Sequence, residues 1–380
     1  MTGEFLVRGA RIFDGAGFRD GCAMHISGGH VATIGPVLEA GRADVFDLGG
    51  GIVAPGYVDL QVNGGDGIMF NDDPDTATLH RMAQAHGRLG ATSILPTLIT
   101  DTPENTARAV SATIEATQAA EPGILGLHLE GPHLSIARKG AHDPALIRPM
   151  ENPDLETLIA AAATLPVLKV TLAPESVTVD QVRALADAGV VVSIGHSDCG
   201  FDEATAFAEA GATCATHLFN AMSQLGNREP GVVGAALATG SVFAGMIADF
   251  VHVHPATVAV ALAAKSGPGR IFLVSDAMAV AGSDATDFSL NGRRVTRENG
   301  RLTLDDGTLA GADLDLTTAI RNLVSIGLDL GDALAMATSV PGDLIGRRAG
   351  RLVEGGPADF VHLSDDLTLA GVWRGGERLR

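Results

Sequence analysis

Apolar and polar residues follow two different periods along most of this chain. After about residue 52, short runs of aliphatic residues alternate with longer, alanine-rich runs whose apolar residues recur at helical spacing. This alternation is typical of βα units that build one parallel sheet. We predict eight strands, at residues 52–62, 91–99, 123–130, 167–173, 190–197, 212–219, 242–249 and 270–277. Helices that begin at Pro, Thr or Asp or end at Gly are predicted at 76–90, 103–118, 178–189, 201–211 and 255–267.

Eight consecutive βα units can close into a barrel or form an open, doubly wound sheet. No GxGxxG turn, which is typical of the open dinucleotide-binding sheet, follows any predicted strand. Closure into a barrel also removes both exposed sheet edges. The pattern therefore favours an α/β fold, a (β/α)8 TIM-type barrel, and the open sheet remains the alternative.

The two ends of the chain have the shorter alternation of antiparallel strands. We predict that residues 1–51 and 346–380 form a small β-sandwich domain beside a catalytic barrel of residues 52–345. FLVRGARI near the start and GVWRGGERL near the end share an apolar-Arg-Gly pattern, and we expect them to be neighbouring strands. Residues 283–310 contain NG and DG turn signals between alternating runs, which predicts a β-hairpin insert after strand eight.

Composition and charge narrow the class of protein. The 380 residues include 46% hydrophobic residues and 48 glycines, which indicates a large aliphatic core with many turns. The net charge of −19 argues against nucleic acid or a membrane surface as a partner, although local donors can still bind a small phosphorylated substrate. Three cysteines without metal-site spacing predict reduced core thiols. No segment has the signature of a secretion signal or membrane span, and we expect a cytoplasmic protein.

Acidic and imidazole side chains occur at the ends of four predicted strands. Glu130 ends strand three, His196 lies at the end of strand five, His217 at the end of strand six and Asp276 at the end of strand eight. The carboxyl ends of barrel strands converge on one face, where the active sites of such barrels lie. Two imidazoles and one carboxylate suffice to bind a catalytic divalent metal with a position left for water. The spacing predicts a metal-dependent hydrolase.

Eight motifs give the chain a family resemblance that extends from about residue 50 to 345. They are QVNGGDG, LHLEGPH, KGAHDP, IGHSD, THLFNAM, PGVVGAAL, ADFVHVH and LVSDAMA. In content, order and spacing they resemble the N-acetylglucosamine-6-phosphate deacetylase family of the amidohydrolase superfamily. The resemblance implies hydrolysis of the acetamide of N-acetyl-D-glucosamine 6-phosphate to D-glucosamine 6-phosphate and acetate, in amino-sugar catabolism or cell-wall recycling.

The same resemblance assigns roles to the strand-end residues. It implies that Glu130, His196 and His217 bind one divalent metal ion per subunit. Asp276 would act as general base and then general acid, and His142 of KGAHDP would polarise the acetyl carbonyl with the metal. Two imidazoles and a carboxylate suit zinc, our first choice, as well as iron, manganese or cobalt.

The resemblance also implies how the substrate is bound. Asn220, Ala221, Arg228 and His252 match positions that contact the phosphate. Ala141, Leu309, Ala310 and Gly311 match further loop positions that contact the substrate. In similar enzymes some phosphate contacts cross a subunit interface, so a homodimer with shared active sites is expected.

One part of the chain departs from the two-metal members of the superfamily. They have His-x-His at the end of strand one, where this chain has Gln61 and Asn63. Neutral amides are weaker ligands, so we expect a single metal. Lys169 lies before the end of strand four, which argues against a carbamylated lysine bridge. His128 shares a strand face with Glu130, and packing inside the barrel is favoured for it over metal binding.

Two other functions remain open from the sequence. A related enzyme would act on another phosphorylated amino sugar, such as N-acetylgalactosamine 6-phosphate, or on a cyclic amide or base, although the missing His-x-His argues against the two-metal cyclic amidases. A non-catalytic scaffold with this fold is the second alternative. The presence of every candidate catalytic residue disfavours it.

Overall fold

The N-terminal segment forms short strands. The computed structural model describes residues 3–36, 41 and 43–380. The first strands are β1 (Phe5–Arg8), β2 (Arg11–Phe13), β3 (Phe18–Arg19), β4 (Ala23–Ser27), β5 (His30–Gly35), β6 (Asp44–Asp47) and β7 (Ile52–Pro55). Strands β5, β4, β1 and β6 form a four-stranded sheet in that order.

The central part of the chain is an eight-stranded parallel sheet surrounded by helices. In chain order its elements are β8 (Val58–Val62), the short hairpin β9 (Gly64–Gly65) and β10 (Ile68–Met69), α1 (Thr76–Arg88), β11 (Ser93–Ile99), α2 (Pro103–Gln118), β12 (Leu127–Glu130), α3 (Asn152–Ala162), β13 (Leu168–Leu172), α4 (Val179–Asp187), β14 (Val191–Ile194), α5 (Phe201–Glu209), β15 (Cys214–Ala215), α6 (Gly231–Ala238), β16 (Phe243–Met246), α7 (Pro255–Ala264) and β17 (Ile271–Leu273). The sheet order is β8, β11 and then β12 to β17 in sequence.

Hydrogen bonds between the carboxyl end of β8 and the residues that follow β17 close this sheet into a barrel. The backbone N–H of Asp276 donates to the carbonyl oxygen of Gln61 at 3.1 Å, and that of Asn63 donates to the carbonyl oxygen of Ala277 at 2.8 Å. These bonds join the last strand to the first, and the predicted TIM-type barrel is confirmed. Because residues at or just past the carboxyl ends of the strands make the closure, the two strand termini are held against each other at the barrel mouth.

An antiparallel sheet and three helices follow the barrel. They are β18 (Asp287–Leu290), β19 (Arg293–Glu298), β20 (Arg301–Leu304), β21 (Leu309–Ala312), α8 (Leu316–Ser325), α9 (Leu330–Ala337) and α10 (Ser339–Leu344). The hairpin predicted over 283–310 is thus a four-stranded sheet. Its buried residues Leu290, Val295 and Leu302 share an apolar cluster with Met69 and Met278. The insert therefore packs over the barrel mouth.

The last strands complete the sandwich. They are β22 (Phe360–Leu363), β23 (Leu369–Arg374) and β24 (Glu377–Arg378). They join N-terminal strands in a six-stranded sheet of order β24, β23, β22, β7, β2 and β3. One buried cluster combines Phe5 and Met24 with Phe360 and Trp373, so both ends of the chain build one core. The β-sandwich formed by both terminal segments is confirmed.

Two details of the predicted strands are wrong. FLVRGARI and GVWRGGERL are not neighbours, because β22 and β7 lie between β23 and β2. The strand predicted over 52–62 is divided into β7, which belongs to the sandwich, and β8, which belongs to the barrel. The N–H of Gly56 donates to Asp359 of the sandwich and that of Tyr57 to Gly90 of the barrel, both at 2.9 Å. The chain changes sheets there, and the domain division between residues 51 and 52 stays a prediction.

Gly56 permits this change of sheet. A β-carbon at this position would lie 2.0 Å from the hydroxyl oxygen of Thr92, so only glycine fits so close to that side chain. Within the described ranges, no helix is both long and apolar enough to cross a membrane.

A buried hydrogen bond links the amino end of β8 to helix α8. The hydroxyl groups of Tyr57 and Thr317 are 3.1 Å apart, and both side chains are buried. We expect Tyr57→Phe and Thr317→Val each to lower the free energy of unfolding by about 1 kcal/mol, because each removes one partner of the bond. The double variant should cost little more than either single variant in urea unfolding curves. Additive costs in the double variant would show that the contact contributes nothing.

Candidate metal centre and active-site pocket

The four strand-end residues predicted from the sequence lie together at the carboxyl end of the barrel. Glu130 ends β12, and His196, His217 and Asp276 follow β14, β15 and β17 by two or three residues. All four are buried. His196, His217 and Asp276 have positive φ angles of 48°, 28° and 49°. Non-glycine residues adopt this conformation at a cost, and such strain clusters at functional sites.

Three candidate ligand atoms lie at nearly equal separations. Nε2 of His196 and Nε2 of His217 lie 3.3 Å and 3.1 Å from Oε1 of Glu130. The two Nε2 atoms are 3.1 Å apart. Ligands about 2.0–2.1 Å from a tetrahedral zinc ion are separated by roughly 3.3 Å. The three atoms therefore have the spacing of ligands around one ion.

The hydrogen bonds of the cluster also fit a cation. Nδ1 of His196 lies 2.8 Å from the carbonyl oxygen of Arg138, to which it must donate. The lone pair of its Nε2 therefore faces Glu130 and His217 when the ring is neutral. Burial would raise the pKa of Glu130, but hydrogen bonds from His196 and His217, which His196 can donate only in its protonated form, hold that pKa well below its usual range. When the imidazoles are neutral and face the anionic carboxylate with lone pairs, the cluster needs a positive partner, which a divalent metal ion would supply.

Buried polar atoms in the cluster lack partners. Among the described residues, Oε1 of Gln61, Oδ1 of Asn63 and Nδ1 of His217 are buried without a hydrogen bond. Most buried polar atoms in folded proteins are hydrogen-bonded. Several buried polar atoms without partners in one place are typical of a site where a bound ion or ligand supplies those partners.

Gln61 and Asn63 hold the two carboxylates in place. The side-chain amide of Asn63 donates to Oδ1 of Asp276 at 2.7 Å. That of Gln61 lies 3.2 Å from the same oxygen and 3.1 Å from Oε1 of Glu130. Burial, followed by the charge of Glu130, raises the pKa of Asp276. The side-chain amides of Gln61 and Asn63 thus act as hydrogen-bond donors to carboxylates. Their spacing in the sequence did not identify this role.

His142 lies on the loop after β12 and reaches the same cluster. Its Nε2 is 4.0 Å from Oε2 of Glu130, and its ring centroid is 4.4 Å from that of His196. Ligand atoms of Glu130, His142 and His196 all lie within 4.8 Å of one another. Burial, and then the charge of His196, lower the pKa of His142 to about 3, so its ring is neutral near pH 7. His142 can hydrogen-bond a substrate or approach a metal ion.

These residues surround a cavity of about 380 Å³. Apolar side chains form part of its wall, and the insert contributes residues of β18 and β21. Six of the predicted substrate-contacting residues line it: Ala141, Asn220, Ala221, His252, Leu309 and Gly311. Nδ1 of His252 lies 2.6 Å from Oδ2 of Asp249, which fixes the ring. The cavity has the size and mixed polarity of a small-molecule site.

Two predicted substrate residues lie elsewhere in this chain. Ala310 is fully buried in the apolar cluster of the insert, because alternate residues of β21 face opposite sides. Arg228 is exposed and is not among the residues that line the cavity. Within one subunit neither side chain reaches the cavity, and a contact of Ala310 or Arg228 with the substrate stays a prediction.

Two residues outside the sequence prediction contribute to the site. Asp249 holds His252, and Thr100 contacts His142. Both lie at strand ends, Asp249 at the end of the predicted strand 242–249 and Thr100 directly after β11. A position at the end of a strand is the signal that identifies Glu130 and His196 in the sequence. The same signal applies to Asp249 and Thr100, which hold other site residues in place.

Two residues inside the barrel lie below this site. His128 is 3.1 Å from the hydroxyl of Thr97 and 2.7 Å from that of Thr171, which satisfies both ring nitrogens. Lys169 is also buried, and burial lowers its pKa. Neither residue lies at the carboxyl end of its strand where the candidate ligands converge.

Known proteins match the chain over nearly its whole length. It matches the Amidohydrolase family over residues 52–379. It is 41% identical over 376 residues to the N-acetylgalactosamine-6-phosphate deacetylase of Shewanella sp. (strain ANA-3), covering 98% of this chain and 95% of that protein. It is 35% identical over 340 residues to the N-acetylglucosamine-6-phosphate deacetylase of Haemophilus influenzae, covering 88% of each. The crystal structure of N-acetylglucosamine-6-phosphate deacetylase from Pasteurella multocida superposes with a TM-score of 0.93 at 32% identity and 99% coverage of both chains.

The candidate ligands generate a prediction about metal binding. His196→Ala and His217→Ala should each weaken zinc affinity by more than about 100-fold, since loss of a direct ligand should exceed the 10–100-fold effect of an outer-shell partner. Competition with a chelating indicator measures this affinity. His80→Ala is the matched control, because His80 is exposed on α1 and pairs with Glu121. Unchanged affinity in either ligand variant would remove that histidine from the proposed centre.

Proposed function

Because the chain belongs to the amidohydrolase family, we propose that it is a metal-dependent deacetylase of N-acetyl-D-glucosamine 6-phosphate. The products would be D-glucosamine 6-phosphate and acetate. The observation that carries this proposal is the convergence of Glu130, His196, His217 and Asp276 on one cavity at the barrel mouth. Relatives that share most of the chain and have this activity in their names support it. We place the activity in the cytoplasm, as expected from the sequence.

Asp276 is the residue that moves the proton. Among the described residues, only its Oδ1 accepts side-chain hydrogen bonds, from Asn63 and Gln61. Oδ2 is therefore available to take a proton from the attacking water and to return it to the sugar nitrogen, which leaves as an amine. His142 lies at the cavity wall, where it can hydrogen-bond the acetyl carbonyl as negative charge develops on its oxygen. Bound at Glu130, His196 and His217, a divalent ion would lower the pKa of water and polarise the carbonyl.

Zinc is our first choice for that ion. Two imidazoles, one carboxylate and an open position are a usual catalytic zinc set. The same ligands also suit iron, manganese or cobalt, and supply in the cell often decides among them. Gln61 and Asn63 are both engaged with carboxylates, which supports one ion per subunit.

The phosphate would lie beside the loop that follows β15. Ala221 has a φ angle of 47° and lines the cavity. Its backbone N–H donates to no acceptor within the described residues. Together with Asn220 and His252 it offers local donors for an anion despite the acidic chain.

In a homodimer, Arg228 of one subunit would supply a positive charge for the phosphate bound in the other subunit. Arg228 is exposed, and it makes no hydrogen bond or ion pair with the described residues. Leu225 on the same loop is 54% exposed, which is unusual for a large apolar side chain. We infer that this loop packs against a second subunit and delivers Arg228 to the phosphate in the neighbouring cavity.

N-acetylgalactosamine 6-phosphate is the second candidate substrate. It is favoured by the Shewanella relative that is 41% identical and has this activity in its name. The two sugars differ only in configuration at one ring hydroxyl group. Their kcat/KM values, measured side by side, decide which substrate is preferred.

The first test of this function is acetate release from phosphorylated and unphosphorylated acetylated amino sugars. Asp276→Asn should lower kcat by roughly 10²–10⁴-fold, because it removes general acid and base catalysis. Metal content should be retained, since the proposed ligands are intact. Wild-type protein with bound metal but no turnover of either phosphorylated sugar would favour the scaffold alternative, and near-normal turnover by the variant would refute the role of Asp276.

A second test concerns Arg228. Arg228→Ala should raise KM for the phosphorylated sugar by about tenfold or more, because charge-assisted hydrogen bonds to phosphate are strong. Arg183→Ala on α4 is the matched control, since Arg183 is an exposed arginine paired with Asp180. Mixed dimers of Arg228→Ala and Asp276→Asn subunits should recover activity, because one cavity then has both intact residues. No recovery on subunit exchange would show that Arg228 does not act across an interface.

A further inference from the structure

We propose that Thr100 is a positioning residue that fixes the tautomer of His142. In that tautomer His142 presents an N–H donor at Nε2 to the cavity, and no lone pair for a metal ion. This role rests on the proposed function only in its consequence for catalysis. The tautomer itself can be measured without turnover.

Both polar groups of Thr100 contact the same ring nitrogen. The Thr100 hydroxyl oxygen lies 2.8 Å from Nδ1 of His142, and the Thr100 backbone N–H donates to that nitrogen at 3.4 Å. A backbone N–H can only donate, so Nδ1 must offer its lone pair. A neutral ring with an unprotonated Nδ1 carries its proton on Nε2.

The hydroxyl hydrogen of Thr100 has one competing acceptor. The carbonyl oxygen of Glu130 lies 3.4 Å from the hydroxyl oxygen, against 2.8 Å for Nδ1 of His142. The shorter contact is the stronger hydrogen bond. The hydroxyl therefore donates to His142 and reinforces the backbone N–H.

The packing around Thr100 holds its side chain in this place. Thr100 is 1% exposed. A β-carbon on Gly131 would lie 2.2 Å from its hydroxyl oxygen, so the space for this oxygen exists only because residue 131 is glycine, at a φ of 89°. From the other side, the guanidinium group of Arg293 donates to the carbonyl oxygen of Ala141 and ties the loop of His142 to the insert. Both partners are thus fixed by separate elements.

The assigned tautomer decides between two roles that distance alone leaves open. Nε2 of His142 is near enough to Glu130 and His196 to join a metal centre. A nitrogen that carries a proton cannot bind a metal ion but can donate to a carbonyl oxygen. The same nitrogen makes no hydrogen bond within the described ranges of the chain and faces the cavity. Thr100 therefore makes His142 a donor for the developing oxyanion.

The proposal is tested first by nitrogen-15 NMR of histidine-labelled, metal-free protein. The ring signals of His142 are identified by their loss in His142→Asn. Wild-type protein and Thr100→Ser should show an unprotonated Nδ1 and a protonated Nε2. Thr100→Val, which has the same shape without the hydroxyl, should shift His142 towards the other tautomer. Thr97→Val is the matched control, because Thr97 is a buried threonine of β11, three residues before Thr100, and contacts His128 instead.

Zinc titration and kinetics complete the test. Added zinc should move the ring signals of His196 and His217 and leave Nε2 of His142 protonated. Thr100→Val should lower kcat by about 10–100-fold with KM within about threefold, and Thr100→Ser should restore kcat to within a few-fold.

Three results would overturn the proposal. They are a wild-type His142 protonated at Nδ1, direct binding of zinc at Nε2 of His142, and an unchanged tautomer and kcat in Thr100→Val. Absence of turnover in every protein, together with the expected tautomers, would instead count against the deacetylase function alone.

Discussion

Burial of the Glu130 carboxylate against two imidazole nitrogens is the interaction on which the site depends. Oε1 of Glu130 is within 3.3 Å of Nε2 of both His196 and His217. Isolated charge is costly in a buried place, and the cluster is stable only with a balancing positive charge. Burial would lower the pKa of the His217 imidazole, but its contact with Glu130 raises that pKa, which favours a balancing proton on His217. A metal ion would replace that proton, so metal binding should release protons and weaken at low pH.

The closure of the barrel and the geometry of the site use the same residues. The backbone N–H of Asp276 donates to the carbonyl of Gln61, and the side chain of Gln61 reaches the carboxylate of Asp276 in return. Below them, Asp59 accepts hydrogen bonds from the backbone of Ser275, and burial raises the pKa of Asp59 to about 7. The seam between β8 and β17 therefore determines where the carboxylate of Asp276, which we propose transfers the proton, lies relative to Glu130. A change that loosened the seam would affect catalysis through this geometry even if every catalytic side chain remained.

Much of the barrel was predictable because its strands are short apolar runs separated by amphipathic helices. The run over 52–62 is mostly apolar and is buried throughout, so nothing in its pattern shows the change of sheet at Gly56. Helix α6 is buried on all sides, and without a polar face it has no helical period to detect. The strand-end rule brought Glu130, His196, His217 and Asp276 together correctly, although their chemical roles remain predictions. The contact of Thr100 with His142 could not be predicted, because it depends on how a loop of more than ten residues folds back between two strands.

An acidic chain can bind an anionic substrate because the charge close to the cavity differs from the net charge of the whole chain. The carboxylates of Glu130 and Asp276 are held by amides and imidazoles, and a cation between them would reduce their charge further. Arg138 lines the cavity. Hydrogen bonds from Thr308, and then the charges of Lys139 and Arg293, lower the pKa of Asp306 in the insert. Fields from distant acidic groups fall off within about 8–10 Å in physiological salt, so the groups close to the mouth, more than the total charge, set the field that an anion meets there. The insert contributes one of these cations, Arg293, whose guanidinium group donates to the carbonyl oxygen of Ala141 at the cavity wall.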